Sequence, residues 1–360
     1  MHFPSKHRHA RADLHERLSE RSVSTRLSIL DQSPIRADST PAIALAESVQ
    51  LAQRADALGF HRYWLAEHHG SQAFAGSSPE ILIARIASAT QRIRVGSGGV
   101  MLMHYSPYKV AENFKVLESL FPGRIDVGIG RAPGSDGITA AALAYGSGVG
   151  PDYFPAKVAD LKAFISDGVP LTEGLRQVRA TPATLNVPEL WILGSSDQSG
   201  MLAAQFGVPF SFAHFINASD CGLAIETYRA RYRPSPQFPE PRVNIGVFAL
   251  CAETTDEARD MGACRDLWRL KFEKGEFGPY PSIDEANRYH YSAADLIKIE
   301  ERRAKQILGD AASVRVRLQD LADEFQAEEL MVLSITPTFA QRLRNYELLA
   351  EAFGLQSVST

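Results

Sequence analysis

Cysteine is scarce in this chain, with only Cys221, Cys251 and Cys264 among 360 residues. Their number is odd, and they lack the close spacing of metal-binding cysteines. They therefore predict neither a disulfide framework nor a zinc site. We interpret them as ordinary thiols of a reducing, cytoplasmic environment.

Three further absences narrow the class of protein. No apolar run reaches about 18 residues and no apolar signal core begins the chain, so we expect no membrane partner. The net charge is −4, which leaves no basic field to attract nucleic acid. No G-x-G-x-x-G follows the first predicted strand, which disfavours the dinucleotide-binding fold that carries this fingerprint.

Residues 1–26 differ in composition from the rest, because histidine, arginine and serine dominate and large apolar residues are few. We interpret them as a flexible N-terminal extension. A metal-binding tail and an organelle-targeting segment are the alternatives, and the acidic residues of the segment weaken the second. Residues 27–360 are then expected to form one domain.

From residue 27 onwards, short apolar runs alternate with amphipathic helical patterns. The predicted strands are 27–31, 63–66, 93–99, 124–130, 190–194, 209–213, 243–251 and 329–334. Right-handed crossovers make such strands parallel, and eight of these units most simply close into an α/β fold of the (β/α)8 TIM-barrel type. An open, doubly wound sheet is the alternative. The predicted insertions are 132–152, 167–187 and 272–309, and the last, rich in aromatic residues, would either roof a pocket or cover the outside of the barrel.

The most concentrated titratable group ends the second strand, where Glu67, His68 and His69 follow a buried apolar run. The carboxyl ends of barrel strands are where barrel enzymes place their sites. These side chains could bind a metal, or one imidazole could act as a general acid or base near neutral pH. Successive strand residues face opposite sides, which separates the two histidines and favours the acid–base role of His68. A structural role for both histidines is the remaining alternative.

Two more histidines follow other predicted strands. His214 follows the sixth strand, and either it or Asp31 at the end of the first strand could complete a metal site. His104, next to Tyr105, follows the third strand and either lines the pocket or precedes a helix as its cap. We count His104, His214, Glu67 and His69 as candidate residues of a substrate pocket.

Anion-binding features end the fourth and fifth strands. Arg131 follows the fourth, and its planar guanidinium suits phosphate. The fifth strand leads into a helix whose first turn offers free N–H groups and a partial positive charge. The candidate phosphate-binding residues there are Gly194, Ser195, Ser196 and Ser199. Helix capping by Ser195 or Ser196, and a salt bridge from Arg131 to Asp136 or Asp152, are the alternatives.

Glycines end the third strand at Gly96, Gly98 and Gly99. Glycine weakens a strand unless a backbone or ligand must come close. A flat ring against bare backbone would explain them, and so would tight packing inside the barrel.

Several of these stretches together resemble the bacterial luciferase-like flavin monooxygenases, over most of residues 27–354. The matching stretches are Trp64-Leu65-Ala66-Glu67-His68-His69, Val95-Gly96-Ser97-Gly98-Gly99-Val100, residues 123–131, Ala180-Thr181-Pro182 and Trp191-Ile192-Leu193-Gly194-Ser195-Ser196. Each stretch is short, but their order and spacing together are specific.

The resemblance implies a barrel that binds FMN and uses its reduced form with O2 to oxygenate a small organic substrate. It also implies a separate flavin reductase as partner and a homodimer. By position, Arg131 and the serine segment would hold the flavin phosphate, Gly98 and Gly99 would lie against the flavin ring through an often cis peptide bond, and His68 would be the acid or base. Deazaflavin is the alternative cofactor. A flavin-binding protein without turnover and a metal-dependent hydrolase are the alternative functions.

Overall fold

The computed structural model describes residues 25–146, 150–303 and 306–356. The predicted extension thus lies almost wholly outside the described residues, and the first strand already includes Arg26. The strands are β1 (Arg26–Asp31), β2 (Arg62–Leu65), β3 (Arg94–Ser97), β4 (Val100–Met101), β5 (Ile125–Gly130), β6 (Glu189–Gly194), β7 (Phe210–Ala213), β8 (Val243–Ala252), β9 (Ile307–Asp310) and β10 (Glu329–Leu333). They follow the order β10-β1-β2-β3-β5-β6-β7-β8, and β8 pairs back onto β10. All these pairings are parallel, so the predicted (β/α)8 barrel is confirmed.

Helices surround the barrel and connect successive strands. The helices are α1 (Pro41–Leu58), α2 (Pro79–Ala87), α3 (Pro107–Leu120), α4 (Gly137–Ala144), α5 (Phe154–Ile165), α6 (Asp197–Phe206), α7 (Cys221–Arg231), α8 (Thr255–Glu273), α9 (Ile283–Arg288), α10 (Ala293–Arg303), α11 (Ala311–Glu324) and α12 (Phe339–Phe353). Short 3-10 turns lie at Leu102–His104, Pro151–Tyr153 and Glu173–Leu175. The sequence signals act as expected at α1, where the Thr40 hydroxyl accepts the Ile43 N–H and Gly59 ends the helix in the left-handed region.

Two elements depart from the sequence expectation. The predicted third strand is divided into β3 and β4, because the chain turns at Gly98 and Gly99 between them. The predicted insertion 272–309 contains α9, α10 and a further strand, β9, which extends the sheet beside the outer half of β8. The sequence pattern did not predict these elements, because they are polar and short and α9 and α10 have few buried residues.

No helix among the described residues is long and apolar enough to cross a membrane. Cys221, Cys251 and Cys264 are buried and form no disulfide. Burial raises the pKa of each thiol to about 12.

Strand alternation divides the core into two parts. On β2, Tyr63 and Leu65 face the helices, whereas Trp64 and Ala66 belong to the cluster inside the barrel. On β8, Val247 faces the helices in the same way and Phe248 faces inwards. The inner residues of each strand therefore share one central column.

The amino-terminal end of this column is filled by charge. Arg62, only 1% exposed, forms ion pairs with Asp126 (2.7 Å), Glu189 (3.1 Å) and Glu329 (3.1 Å). Arg94 supplies a second guanidinium to Asp126 at 2.5 Å. Burial by itself would raise the pKa of Asp126 and Glu329, but the arginines outweigh it and lower both values.

We predict that Arg62→Met lowers the free energy of unfolding by about 3–5 kcal/mol, since it leaves buried carboxylates without their counterion. Urea unfolding at pH 7 measures this. The control is Arg259→Met, which removes an exposed ion pair to Asp256 and should cost at most about 1 kcal/mol. Equal stability of the two variants would contradict the role given to Arg62.

Candidate active site at the barrel mouth

The floor of the barrel mouth is aromatic. Trp64 on β2 and Trp191 on β6 meet edge to face, with ring centroids 5.3 Å apart. The Trp64 indole N–H also donates to Asp126 at 2.9 Å, which ties the floor to the charged layer below it. Groups above this floor are thereby held apart from the ionic end of the barrel.

Gly98 lies on the wall of the mouth, and its peptide bond to Gly99 is cis, the bond type that the family resemblance implies. A Cβ atom on Gly98 would lie 2.6 Å from the Leu30 Cδ1 atom and 3.0 Å from the Trp64 Cβ atom. Packing inside the barrel therefore already favours glycine here, since a Cβ atom would displace the end of the Leu30 side chain. Contact with a flavin ring stays a prediction.

Glu67 is the centre of a hydrogen-bonded cluster at the end of β2. Its carboxylate is 2% exposed and accepts hydrogen bonds from His69 Nε2 (2.6 Å), the Tyr105 hydroxyl (2.7 Å) and the Met101 backbone N–H (3.0 Å). Tyr105 Oη also lies 3.3 Å from His69 Nε2. Burial, together with Glu67, raises the pKa of Tyr105. Glu67 is thus fully engaged as an acceptor, and His69 is held in one orientation.

His68 is separated from this cluster, as strand alternation predicted. Its ring stacks at a tilt on Phe74, with centroids 4.6 Å apart, and its backbone N–H donates to the Gly76 carbonyl oxygen at 2.8 Å. Its Nδ1 atom is buried and has no hydrogen-bond partner among the described residues. An unpaired buried ring nitrogen is costly, so this atom is suited to a bound ligand.

Burial, with a smaller contribution from His69, lowers the pKa of His68 to about 4. This is below the near-neutral value that the sequence suggested for an acid–base histidine. The imidazole is therefore neutral at pH 7 and is a proton acceptor, because burial in an apolar contact disfavours its cationic form.

The other predicted histidines have different positions. His104 lies beside the cluster, with its ring centroid 6.0 Å from that of His69, and its Nε2 donates to the Pro133 carbonyl oxygen at 2.7 Å. His214 continues the alternation of Phe210 and Phe212, which face the helices. Burial lowers its pKa, and Glu324 on α11 opposes that shift. His214 is therefore not grouped with His68, and its place in a substrate pocket stays a prediction.

Arg131 and the first turn of α6 do come together. The Arg131 guanidinium is exposed, and its Nη1 atom lies 3.5 Å from Gln198 Oε1 in that turn. No ion pair joins Arg131 to Asp136 or Asp152, and Asp136 instead accepts from the Ile138 and Thr139 N–H groups. The salt-bridge alternative is thus absent among the described residues.

The serines of this segment do not cap the helix through their side chains. Ser196 is the N-cap residue but accepts no backbone N–H, and its hydroxyl lies 3.3 Å from that of Ser199. A Cβ atom on Gly194 would overlap the Ser199 hydroxyl, so glycine allows this turn to approach β6. The Gln198 N–H of this turn donates to Asp197 Oδ1 at 2.8 Å, whereas the Ser196 and Ser199 hydroxyls bond to each other. These hydroxyls, with the neighbouring guanidinium, form an arrangement that suits a phosphate.

Tyr105 and Lys157 are two residues of the site whose roles could not be read from the sequence. Tyr105 is 38 residues from Glu67 and lines the site through its hydroxyl. Lys157 on α5 donates to the Leu102, Met103 and Tyr105 carbonyl oxygens at 2.9–3.2 Å, which fixes the segment that carries Tyr105. Both depend on the packing of α5 against the 3-10 turn Leu102–His104, for which the sequence has no local signal. A groove of about 440 Å³ beside Lys157 and Tyr108 lies outside the barrel mouth.

The described residues contain no group of three or more His, Cys, Asp or Glu side chains that could hold a metal ion. Glu67 and His69 bond to each other, and Asp31 is engaged by Arg342 at 2.6 Å and by the Tyr63 hydroxyl at 2.6 Å. Burial by itself would raise the pKa of Asp31, but its hydrogen bonds and the charge of Arg342 together lower it by more. The pKa of Asp31 is therefore below its usual range.

Fold and site together define a (β/α)8 barrel with a titratable cluster and, beside Arg131, a helix N-terminus at its mouth. The family model of luciferase-like monooxygenases matches residues 25–329. The chain is 44% identical to the uncharacterized protein YwcH of Bacillus subtilis, over 91% of this chain and 98% of that protein. It is 34% identical to the N-acetyl-S-alkylcysteine monooxygenase of the same organism, over 91% and 98%. Among solved structures, apo-MsnO8 superposes with a TM-score of 0.82 and 37% identity, covering 93% of this chain and all of that one. The chain belongs to the luciferase-like monooxygenase family.

We predict that the His68 imidazole is neutral down to about pH 5 and titrates near pH 4. Because an unfolded histidine has a pKa of about 6.5, the unfolded chain takes up a proton first. The free energy of unfolding should therefore fall as pH falls from about 6.5 to about 4, and less steeply in His68→Gln. Histidine NMR titration with urea unfolding measures both, and a His68 pKa near 6.5 would contradict the burial argument.

Proposed function

We propose that this protein is an FMN-dependent monooxygenase that uses reduced FMN and O2 to oxygenate a small organic substrate. The observation that carries the proposal is the meeting of Arg131 with the uncapped first turn of α6. Membership of the family supports an oxidoreductase. The monooxygenase name of the Bacillus subtilis relative supports oxygen transfer.

The residues present fit the phosphate of FMN. Arg131 would supply a charge-assisted, forked contact, and Ser195, Ser196 and Ser199 would add hydroxyl and N–H donors. The wall that includes Gly98 and Gly99 would face the flavin ring. The same donors would also suit the phosphate of a deazaflavin, so that cofactor is the alternative within this proposal.

Reduced FMN, when bound, supplies the electrons and the reaction with O2. The chain supplies placement, exclusion of water and proton handling. His68, neutral and unpaired at Nδ1, would accept a proton from a group above the floor of Trp64 and Trp191. Glu67 and Tyr105 fix His69 beside it, so that the mouth has one geometry. His104 would line the same side, and His214 is retained only as a more distant pocket residue.

The family resemblance supports two further parts of the proposal: a separate flavin reductase would supply reduced FMN, and two copies of the chain would form a homodimer. The three free cysteines support a third part, that the protein would work in the reducing cytoplasm.

The function is tested with 18O2. Purified protein, reduced FMN and a panel of small thioethers and ketones that includes N-acetyl-S-alkylcysteines should yield product with one 18O atom, measured by mass spectrometry. His68→Gln should lower the rate by roughly 10²–10⁴-fold while FMN still binds. His61→Gln, whose histidine precedes β2 at the other end of the barrel, is the matched control.

FMN binding without oxygen consumption would instead indicate a flavin-binding protein without turnover. Tighter binding of a deazaflavin than of FMN would shift the cofactor assignment.

Arg131→Ala should weaken FMN binding by about 1.5–3 kcal/mol and leave riboflavin binding nearly unchanged, because only FMN carries the phosphate. Fluorescence titration with both flavins measures the difference. Arg259→Ala is the control for loss of one exposed arginine. Equal weakening of FMN and riboflavin would show that Arg131 does not contact the phosphate.

A further inference from the structure

Arg265 on α8 is a buried arginine without a counterion. The residue is only 9% exposed. Its guanidinium forms no hydrogen bond or ion pair with any residue that the structure describes. Elsewhere in the chain, Arg62 and Arg342 are buried but paired with carboxylates. Taking a charge out of water without a partner is costly, so a third buried arginine in that state requires an explanation.

The guanidinium of Arg265 faces the inside of the barrel. It lies over the ring of Phe248, 3.3 Å from the ring centroid. Phe248 is an inward residue of β8, paired in register with Leu333 of β10. The cation–π contact favours the charge but satisfies none of its N–H donors.

Tyr280, which interacts electrostatically with Arg265, belongs to the barrel mouth. Tyr280 is 1% exposed, its backbone N–H donates to Ile35 after β1, and its hydroxyl donates to Ile335 after β10. Both acceptors lie just past the carboxyl ends of their strands. Arg265 is therefore enclosed at the same end of the barrel as His68, on the side of β8 and β10.

An aromatic chain runs from α8, one turn beyond Arg265, to His68. Trp268, one turn further along α8, packs on Phe74 with centroids 5.6 Å apart, and Phe74 packs on His68 at 4.6 Å. Between the proton acceptor and the guanidinium, the lining is thus apolar. A ligand that spans them would have an apolar body and one anionic end.

None of the charged neighbours of Arg265 in the described part of the chain acts as its counterion. Asp266 is directed away, to Arg303 at 2.5 Å and Gln306 at 3.3 Å. Arg269 and Arg302 add positive charge nearby. Burial lowers the pKa of Arg265 to about 10, so it still carries its charge at pH 7.

We propose that Arg265 binds the carboxylate of a small amphipathic substrate, whose apolar part lies against Phe248, Trp268 and Phe74. This assignment of substrate class rests on the proposed function. A single planar guanidinium offers a carboxylate two parallel N–H donors. The phosphate-seeking group of Arg131 and α6 follows β5 and β6, so it is separate along the barrel from β8.

Sequence alone contains a signal for this site. Ala258, Met261, Arg265 and Trp268 recur at helical spacing on one face of α8, and three of the four are apolar or aromatic. A charged residue on an otherwise apolar helix face is buried by the same packing that buries its neighbours.

The test uses matched ligand pairs, hexanoate with hexanamide and octanoate with octanamide, on the full chain with and without FMN. Each carboxylate should bind roughly 10- to 100-fold more tightly than its amide, measured by calorimetry and tryptophan fluorescence. Arg265→Met should abolish this preference, and Arg265→Lys should restore part of it. Arg259→Met, an exposed arginine on the same helix, is the control and should leave the preference intact.

A structural role makes a different prediction. If Arg265 only stabilises the fold through Phe248, Arg265→Met should lower the melting temperature and leave any carboxylate preference unchanged. The proposal expects a melting temperature equal to or above that of the wild type, because an unpaired buried charge is removed.

The proposal is overturned if carboxylate and amide bind equally, if neither binds, if the preference persists in Arg265→Met, or if inorganic phosphate displaces octanoate more effectively than acetate does. Because the titration is also made without FMN, these outcomes are separate from those of the proposed function. A chain that binds carboxylates through Arg265 but not FMN would retain the anion site and lose the monooxygenase assignment.

Discussion

The ion pairs of Arg62 constrain the whole barrel. This guanidinium joins β2 to β5, β6 and β10, the last through Glu329, which lies 267 residues away along the chain. A register shift of one residue on β2 would turn Arg62 towards the helices and leave the buried Glu329 without its arginine partner. The cost of that state is large, whereas the gain over a purely apolar core is small. The network therefore acts mainly to select one register.

That register determines what happens at the other end of β2. With Arg62 and Trp64 facing inwards, the alternation places His68 inside and Glu67 with His69 outside. The side chains on the two sides differ in their hydrogen bonding. Glu67 and His69 are held by hydrogen bonds with Tyr105, while His68 has only a ring contact and an unpaired nitrogen. Because Glu67 and His69 hold each other rigidly, we assign them a supporting role. Because the neighbouring His68 has an unpaired nitrogen, we assign the proton transfer to it.

The mouth also contains two cationic groups in contrasting environments. Arg131 is exposed, and water satisfies it until a ligand arrives. Arg265 is mostly buried, and no carboxylate among the described residues pairs with it, so a bound anion would supply the counterion that it lacks. The first arrangement suits a cofactor that exchanges with solvent, as expected if reduced FMN arrives from a reductase. The second suits recognition of an anionic substrate group in a site with little contact with water.

Much of this architecture followed from local sequence. The eight strands, their helices and the parallel barrel are encoded in apolar periodicity and in capping residues such as Thr40 and Gly59, which act within a few residues of themselves. The separation of His68 from His69 followed from the two-residue period of a strand. The extra strand β9, the Glu67–Tyr105 bond and the partners of Arg62 did not follow, because each joins segments between 38 and 267 residues apart. Barrel closure alone brings those segments together. For the same reason, the sequence could show that Arg265 lies on an apolar helix face, but only the tertiary structure decided that no carboxylate in the described part of the chain meets it there.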